Sequence, residues 1–181
     1  MQMQPALQIQ SMIKALSDVV LPAVDPANKL AQEQTRLVLG TLALMAQQLP
    51  LRFQFSCDEL SRLLKLAGVL RQVAHGGPKT SACVETMALA TAAASRALEQ
   101  AQSGPDAVGQ AVREMRATAS QLVRSIYIDG DAAALKQVEA AVLAMSGEQL
   151  LRDRSWVLMQ GWEPDPEALP KIRDLLEARA A

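Results

Sequence analysis

Aromatic residues make up only 3% of this 181-residue chain, cysteine occurs twice and histidine once. Half of the residues are nevertheless apolar. The core formers must then be mostly Ala, Leu, Val and Met, side chains that suit packed helices better than sheets. A sandwich or barrel is therefore not expected. The lone histidine, His75, excludes chemistry that needs two imidazoles from one subunit, such as paired Glu-x-x-His di-iron sites and HExxH zinc sites. Cys57 and Cys83 have 25 residues between them and form no CxxC pair, which speaks against a disulfide scaffold and against structural zinc. No metal and no cofactor is expected, and the two cysteines fit a reducing cytoplasm. Charge of either sign is not in excess: 18 Lys and Arg stand against 19 Asp and Glu, for a net charge of -1. No overall field draws the chain to phosphate backbones, so nucleic acid is not an expected partner.

Long apolar runs are missing too. The longest uncharged internal stretch, between Arg36 and Arg52, is 15 residues and contains Gln47, Gln48 and Pro50. A membrane span needs about 20, so none is expected. The amino terminus has no basic residue before Lys14, and Gln2, Gln4, Gln8 and Gln10 interrupt its apolar residues, which argues against a secretory leader. The length fits one helical domain over residues 1–181.

What the chain has is helix punctuation. Seven or eight helices joined by short connections are predicted, forming an all-α bundle. Ile9, Ile13, Leu16 and Val20 step by four, three and four from Pro5, and Pro22 is expected to stop that helix. Asp25-Pro26 reads as the N-cap and first position of a second helix running toward Pro50. Its Leu37–Ala46 stretch is apolar nearly all round, as expected of a helix surrounded by others or lying in a subunit interface. Ser56-Cys57-Asp58-Glu59 reads as a capping box opening a third helix, whose stripe Leu60, Leu63, Leu64, Ala67, Leu70 and Ala74 runs to Gly76 and Gly77. Pro78 opens an alanine-rich fourth helix over about 79–103. Gly104-Pro105, the only candidate domain boundary, precedes a fifth. In that helix Val108, Val112, Met115, Ala119, Leu122 and Ile126 form a coiled-coil-like seam. Leu135, Val138, Val142 and Met145 mark a sixth helix expected to end near Gly147. Ser146 with Gln149 would cap a seventh toward Gly161, and Ile172, Leu175 and Leu176 belong to a last short one.

The most site-like segment is His75-Gly76-Gly77-Pro78-Lys79-Thr80-Ser81. Two glycines allow close backbone approach, a helix start offers free N–H groups to an anion, Lys79 adds charge, and Thr80 and Ser81 add donors. His75 adds an imidazole. It is not a Walker A loop, because Pro78 stands where glycine should precede the lysine and no strand leads in. The competing reading is a tight turn with His75 near a helix C-terminus. Asp129 and Asp131 flank Gly130, but the alanines that follow supply no further oxygen ligands, and Asp131 is better explained as the N-cap of the sixth helix. Cys57, in a first helical turn, has no placed base. Trp156 and Trp162 are expected in the core. Arg36 sits just before the most apolar part of the second helix, among Gln32, Glu33, Gln34 and Thr35. If that helix is central, this polar patch must lie at an end of the bundle or be satisfied by partners, an acid pairing with Arg36 being the plain case and a ligand the alternative.

The run Ala15-Leu16-Ser17-Asp18-Val19-Val20-Leu21-Pro22, then Asp25-Pro26, then Gln34-Thr35-Arg36-Leu37-Val38-Leu39-Gly40-Thr41-Leu42-Ala43-Leu44, resembles a family of small uncharacterised helical proteins. That family is encoded near acyl-CoA dehydrogenases and aminoglycoside-phosphotransferase-like proteins. The resemblance covers residues 15–50: an apolar helix ending in Leu-Pro, a short turn, and a helix with an HxxR-like start and an apolar continuation. Arg36 stands for the arginine, and no histidine precedes it. The resemblance implies an accessory protein associated with acyl-CoA metabolism, with no catalytic residue to carry over.

With no nucleophile-base-orienter set, metal cluster or complete phosphate motif, the expected function is non-catalytic. The protein is read as a cytoplasmic helical interaction module, a homodimer that also binds another protein. The alternative is a helical protein or enzyme that binds phosphate or a CoA-like anion through Arg36, His75, Gly76, Gly77, Lys79, Thr80 and Ser81. A helix-turn-helix regulator over residues 57–81 ranks last, since the fourth helix carries only Lys79 and Arg96 as cations.

Overall fold

A computed structural model describes residues 5–100 and 105–177. Gln2, Gln4, the end assigned to the fourth helix beyond residue 100, and Gly104 of the candidate boundary lie outside them. Among the described residues the chain is all-α, with no strand. There are seven α-helices: α1 (Pro5–Ala15), α2 (Lys29–Gln48), α3 (Arg52–Val73), α4 (Pro78–Glu99), α5 (Pro105–Asp129), α6 (Ala132–Trp156) and α7 (Ile172–Glu177). A π turn, Leu16–Val20, and a short helical tail, Leu21–Ala23, continue α1, and 3-10 turns occur at Leu158–Gln160 and Pro166–Ala168.

The chain packs as two compact units, residues 53–151 and residues 1–52 with 152–181. The first is built from α3 to α6. Its core joins Leu60, Leu63 and Leu70 of α3, Met87 of α4, Val108, Met115, Leu122 and Ile126 of α5, and Val138 of α6. The seam expected along α5 is buried here, with Ala119 partly buried, because its steps of four and three keep one face of the helix inward. In the second unit α1 packs on α2, and α2 also meets the Leu158–Gln160 turn. Ile9, Leu44, Leu51, Leu169, Ile172 and Leu176 are its buried apolar side chains. Gln48 donates to the Trp156 carbonyl at 2.9 Å, and the Arg154 guanidinium pairs with Glu163 across Gly161, which turns in the left-handed region at φ 73°.

Several expected boundaries move. Pro22 lies one residue before the first helical stretch ends at Ala23, as expected, but inside the helix rather than after it. The chain widens into a π turn in which the Leu21 N–H bonds Leu16 O, and helix resumes over Leu21–Ala23, so that the missing proline N–H is absorbed without a break. Asp25 does not cap α2. It accepts from Ala27 N–H at 2.9 Å within the connecting turn, and Asn28 caps the helix by accepting from Ala31 N–H at 3.0 Å. Ser56–Glu59 does not open α3, which begins at Arg52 directly after the Leu49–Leu51 turn, so Cys57 lies in the second helical turn. Gly147 does not end α6, which runs on to Trp156. A single glycine costs about 1 kcal/mol in a helix interior, too little to break one 25 residues long. Trp162 is not a core residue: it is 75% exposed, whereas Trp156 is half-buried.

Candidate functional site

The turn after α3 and the turn after α5 meet at one end of the 53–151 unit. Gly76 and Gly130 form an isolated antiparallel bridge. Gly77 N–H donates to Asp129 O at 2.7 Å, and Asp131 N–H donates to His75 O at 3.2 Å. This approach depends on absent side chains. A Cβ on Gly76 would lie 2.6 Å from Asp129 O, and one on Gly130 would lie 2.2 Å from Ile126 Cγ1. Gly77 has φ -72°, so what it provides is room beside the Asp129 carboxylate, not a left-handed turn.

The start of α4 holds an anion, and the anion is the chain's own. Lys79 N–H donates to Asp129 Oδ2 at 2.7 Å, Thr80 N–H donates to Oδ1 at 3.0 Å, and the buried Thr80 hydroxyl donates to the same Oδ1. The Thr80 hydroxyl above all, then the two backbone N–H groups and the Lys79 charge, hold the Asp129 carboxyl below the usual carboxylate range against a desolvation that opposes them. Two residues on, Asp131 caps α6 by accepting from Ala134 N–H at 2.7 Å, as its position in the sequence indicates. His75, Lys79 and Ser81 are exposed on the turn, and Ser81 N–H bonds Gly77 O. Chemically the loop is a clasp: the helix-start donors expected to meet a ligand are engaged by a carboxylate from α5.

Arg36 belongs to the other unit, residues 1–52 with 152–181. With Lys29 and Gln32 of α2 it lines a groove of about 320 Å³ walled by Leu21, Pro22, Val24 and Pro26. Gln32 donates across it to Val24 O at 2.8 Å. The structure therefore does not place Arg36 among His75–Ser81 as one group of side chains.

Sequence reasoning missed a buried charged group in α3. Asp58, Glu59 and Arg62 are each about 5% exposed or less. Arg62 pairs with Asp58 at 3.1 Å and donates to Gln149 Oε1 of α6 at 2.8 Å, and Glu59 pairs with Arg116 of α5. The i, i+4 spacing of Asp58 and Arg62 was the available signal, and the capping-box reading concealed it by placing both acids at a helix end. Such pairs are costly to break, since removing one partner strands a buried charge. The same cluster borders a groove of about 240 Å³ between α3 and α6, lined by Arg62, Lys65, Leu66, Val69 and Met145 among others. No disulfide joins Cys57 and Cys83. Among the described residues no three His, Cys, Asp or Glu side chains gather where they could hold a metal ion, and no helix is long and apolar enough to cross a membrane.

The remaining feature is the outward face of α2. Leu37, Val38 and Met45 are 53%, 49% and 49% exposed, and Leu30 and Leu49 are exposed beside them. In residues 5–52 and 152–177 the exposed large apolar side chains outnumber the buried ones, while in 53–151 the balance is reversed. Compared with known proteins, the chain matches no family model, no curated protein and no solved structure.

Proposed function

We propose that the protein is a non-catalytic helical interaction module that associates with a second copy of itself through the outward face of α2. One observation carries this reading: the uncharged stretch Leu37–Leu51 turns Leu37, Val38 and Met45 to solvent instead of burying them. Single exposed apolar side chains are ordinary, but Leu30, Leu37, Val38, Met45 and Leu49 gathered within one side of a helix make a surface that gains by being covered. The finer reading is a cytoplasmic accessory to an enzyme, the role that the resemblance of residues 15–50 implies in acyl-CoA metabolism. Anion binding at His75–Ser81 gains no support from the clasp, where Asp129 takes the donors.

Light scattering during size exclusion, from about 5 to 500 μM, tests the association. The expected result is a mass that rises with concentration from 19.5 kDa toward twice that value, and a Leu37→Glu variant that stays monomeric. A mass fixed at the monomer value over the whole range ends this reading.

A further inference from the structure

The outward stripe of α2 reads nearly the same in both directions. Gln34, Leu37, Thr41, Met45 and Gln48 follow one another by three, four, four and three residues. At about 100° per residue these five positions share one narrow arc of the helix. Thr41 is the midpoint, Leu37 and Met45 flank it at four residues, and Gln34 and Gln48 lie at seven. The four residues from Gln34 to Met45 are exposed and Gln48 is half-buried.

From this symmetry, and resting on the self-association proposed above, we infer that two copies pair α2 against α2 antiparallel, about a two-fold axis at Thr41. An axis there sets Leu37 of one copy opposite Met45 of the other and Gln34 opposite Gln48, twice over. The centre suits close approach. Thr41 donates its hydroxyl to Leu37 O of its own helix at 2.9 Å, so it presents a methyl group rather than an unpaired donor, and a Cβ on the neighbouring Gly40 would meet nothing within 4 Å.

The glutamines give the pairing a direction. Gln48 spends an N–H on the Trp156 carbonyl at 2.9 Å. A carbonyl only accepts, so the Gln48 amide orientation is fixed and its Oε1 remains as an acceptor for a donor from outside. Gln34 in the second copy can supply that donor. Parallel pairing would instead align the two helix dipoles, which antiparallel pairing opposes. The absence of any charge between Arg36 and Arg52 leaves nothing to select a charged partner of another kind.

The size of the face sets the strength. A 20-residue helix is about 30 Å long, and one such stripe covers on the order of 500 Å² per copy, below the ~800 Å² of a standard stable interface. The association is weak and reversible, with a dissociation constant in the micromolar range or above.

Cysteine cross-linking of the full chain at about 200 μM under mild oxidation tests the geometry, with the bonded peptides identified by mass spectrometry and the wild type as baseline. Thr41→Cys is expected to form a 41-to-41 disulfide, since the axis brings those positions together. Leu37→Cys is expected not to bond to itself, because the two copies of position 37 are offset by about 12 Å along the helices. The double variant Leu37→Cys/Met45→Cys is expected to form the 37-to-45 bond. Self-bonding at both 41 and 37 to similar extents would mean parallel pairing and overturns the inference. No cross-link at any of these positions in a sample that light scattering shows to be dimeric also overturns it, while leaving self-association intact. A monomeric mass up to 500 μM removes both. The amide pairing has its own readout: Gln34→Glu, which sets a carboxylate against the Gln48 Oε1, should weaken dimerisation about tenfold. An unchanged dissociation constant in that variant removes the Gln34–Gln48 pairing.

Discussion

Asp129 shows how one residue, through its main chain and its side chain, ties two turns together. Its main-chain carbonyl accepts from Gly77 N–H, and its carboxylate takes the first donors of α4, so the last residue of α5 serves as the cap that Gly77 cannot provide for itself. Because the folded carboxyl titrates below its ordinary value, the stability it contributes is fully present above the unfolded pKa of about 3.9 and is lost as pH falls through the lower folded pKa. Asp129→Ala is expected to lower the melting temperature by several degrees at pH 7. The gap between wild type and variant should narrow as pH drops below about 4; a gap that is constant with pH in thermal unfolding would mean that the charge is not what matters. Glycines separate just as sharply by surroundings. Gly130→Ala drives a methyl group to 2.2 Å from Ile126 Cγ1 and should destabilise by about 1–3 kcal/mol, as overpacking does. Gly147→Ala, in open space on α6, should instead stabilise by about 0.5–1 kcal/mol. Chemical denaturation of the two variants checks both signs.

At the scale of elements, periodicity was the readable part. The α5 seam and the Leu60–Ala74 stripe of α3 were legible because buried positions recur at the helical period, and the structure buries Leu60, Leu70, Val108, Met115, Leu122 and Ile126 completely or nearly so. On that basis Met115→Asp, which buries an unpaired charge, should cost about 3–5 kcal/mol or leave the chain unfolded, while Arg113→Ala on the exposed side should stay within about 0.5 kcal/mol. Similar small losses from both in denaturant unfolding would mean the seam is not a core. Helix ends were less legible: the Ser56–Glu59 box and Gly147 are local signals that tertiary pairing or chain continuity outweighed, while Asp25 yielded the cap to Asn28, three residues on, by accepting from Ala27 N–H within the turn. The acids of the Ser56–Glu59 segment face Arg62 and Arg116 instead of a helix start. The candidate loop was legible as a place where two glycines permit close approach. What it approaches was not, because Asp129 lies about fifty residues away in sequence and no local pattern links Thr80 to it.

At the scale of the whole chain, the two units differ in what they leave uncovered, and this gives association a location that can be measured. A second copy that binds folded α2 stabilises the part of the protein whose opening would destroy the interface, by RT ln(1 + [L]/Kd), about 1.4 kcal/mol at tenfold excess over the dissociation constant. That is about a tenfold slowing of amide exchange through such openings. Hydrogen exchange followed by mass spectrometry at 5 and 500 μM should therefore show added protection in peptides from Lys29–Gln48. Peptides from the 53–151 unit, whose core is closed by its own α3 to α6 side chains, should gain less wherever they open independently. Leu37→Glu should abolish the concentration dependence in α2 without changing exchange in the α5 seam, because Leu37 is exposed and contributes nothing to that core. Added protection confined to α3–α6 would place the interface on the other unit. Exchange in α2 that ignores concentration would show that its apolar stripe stays uncovered in solution.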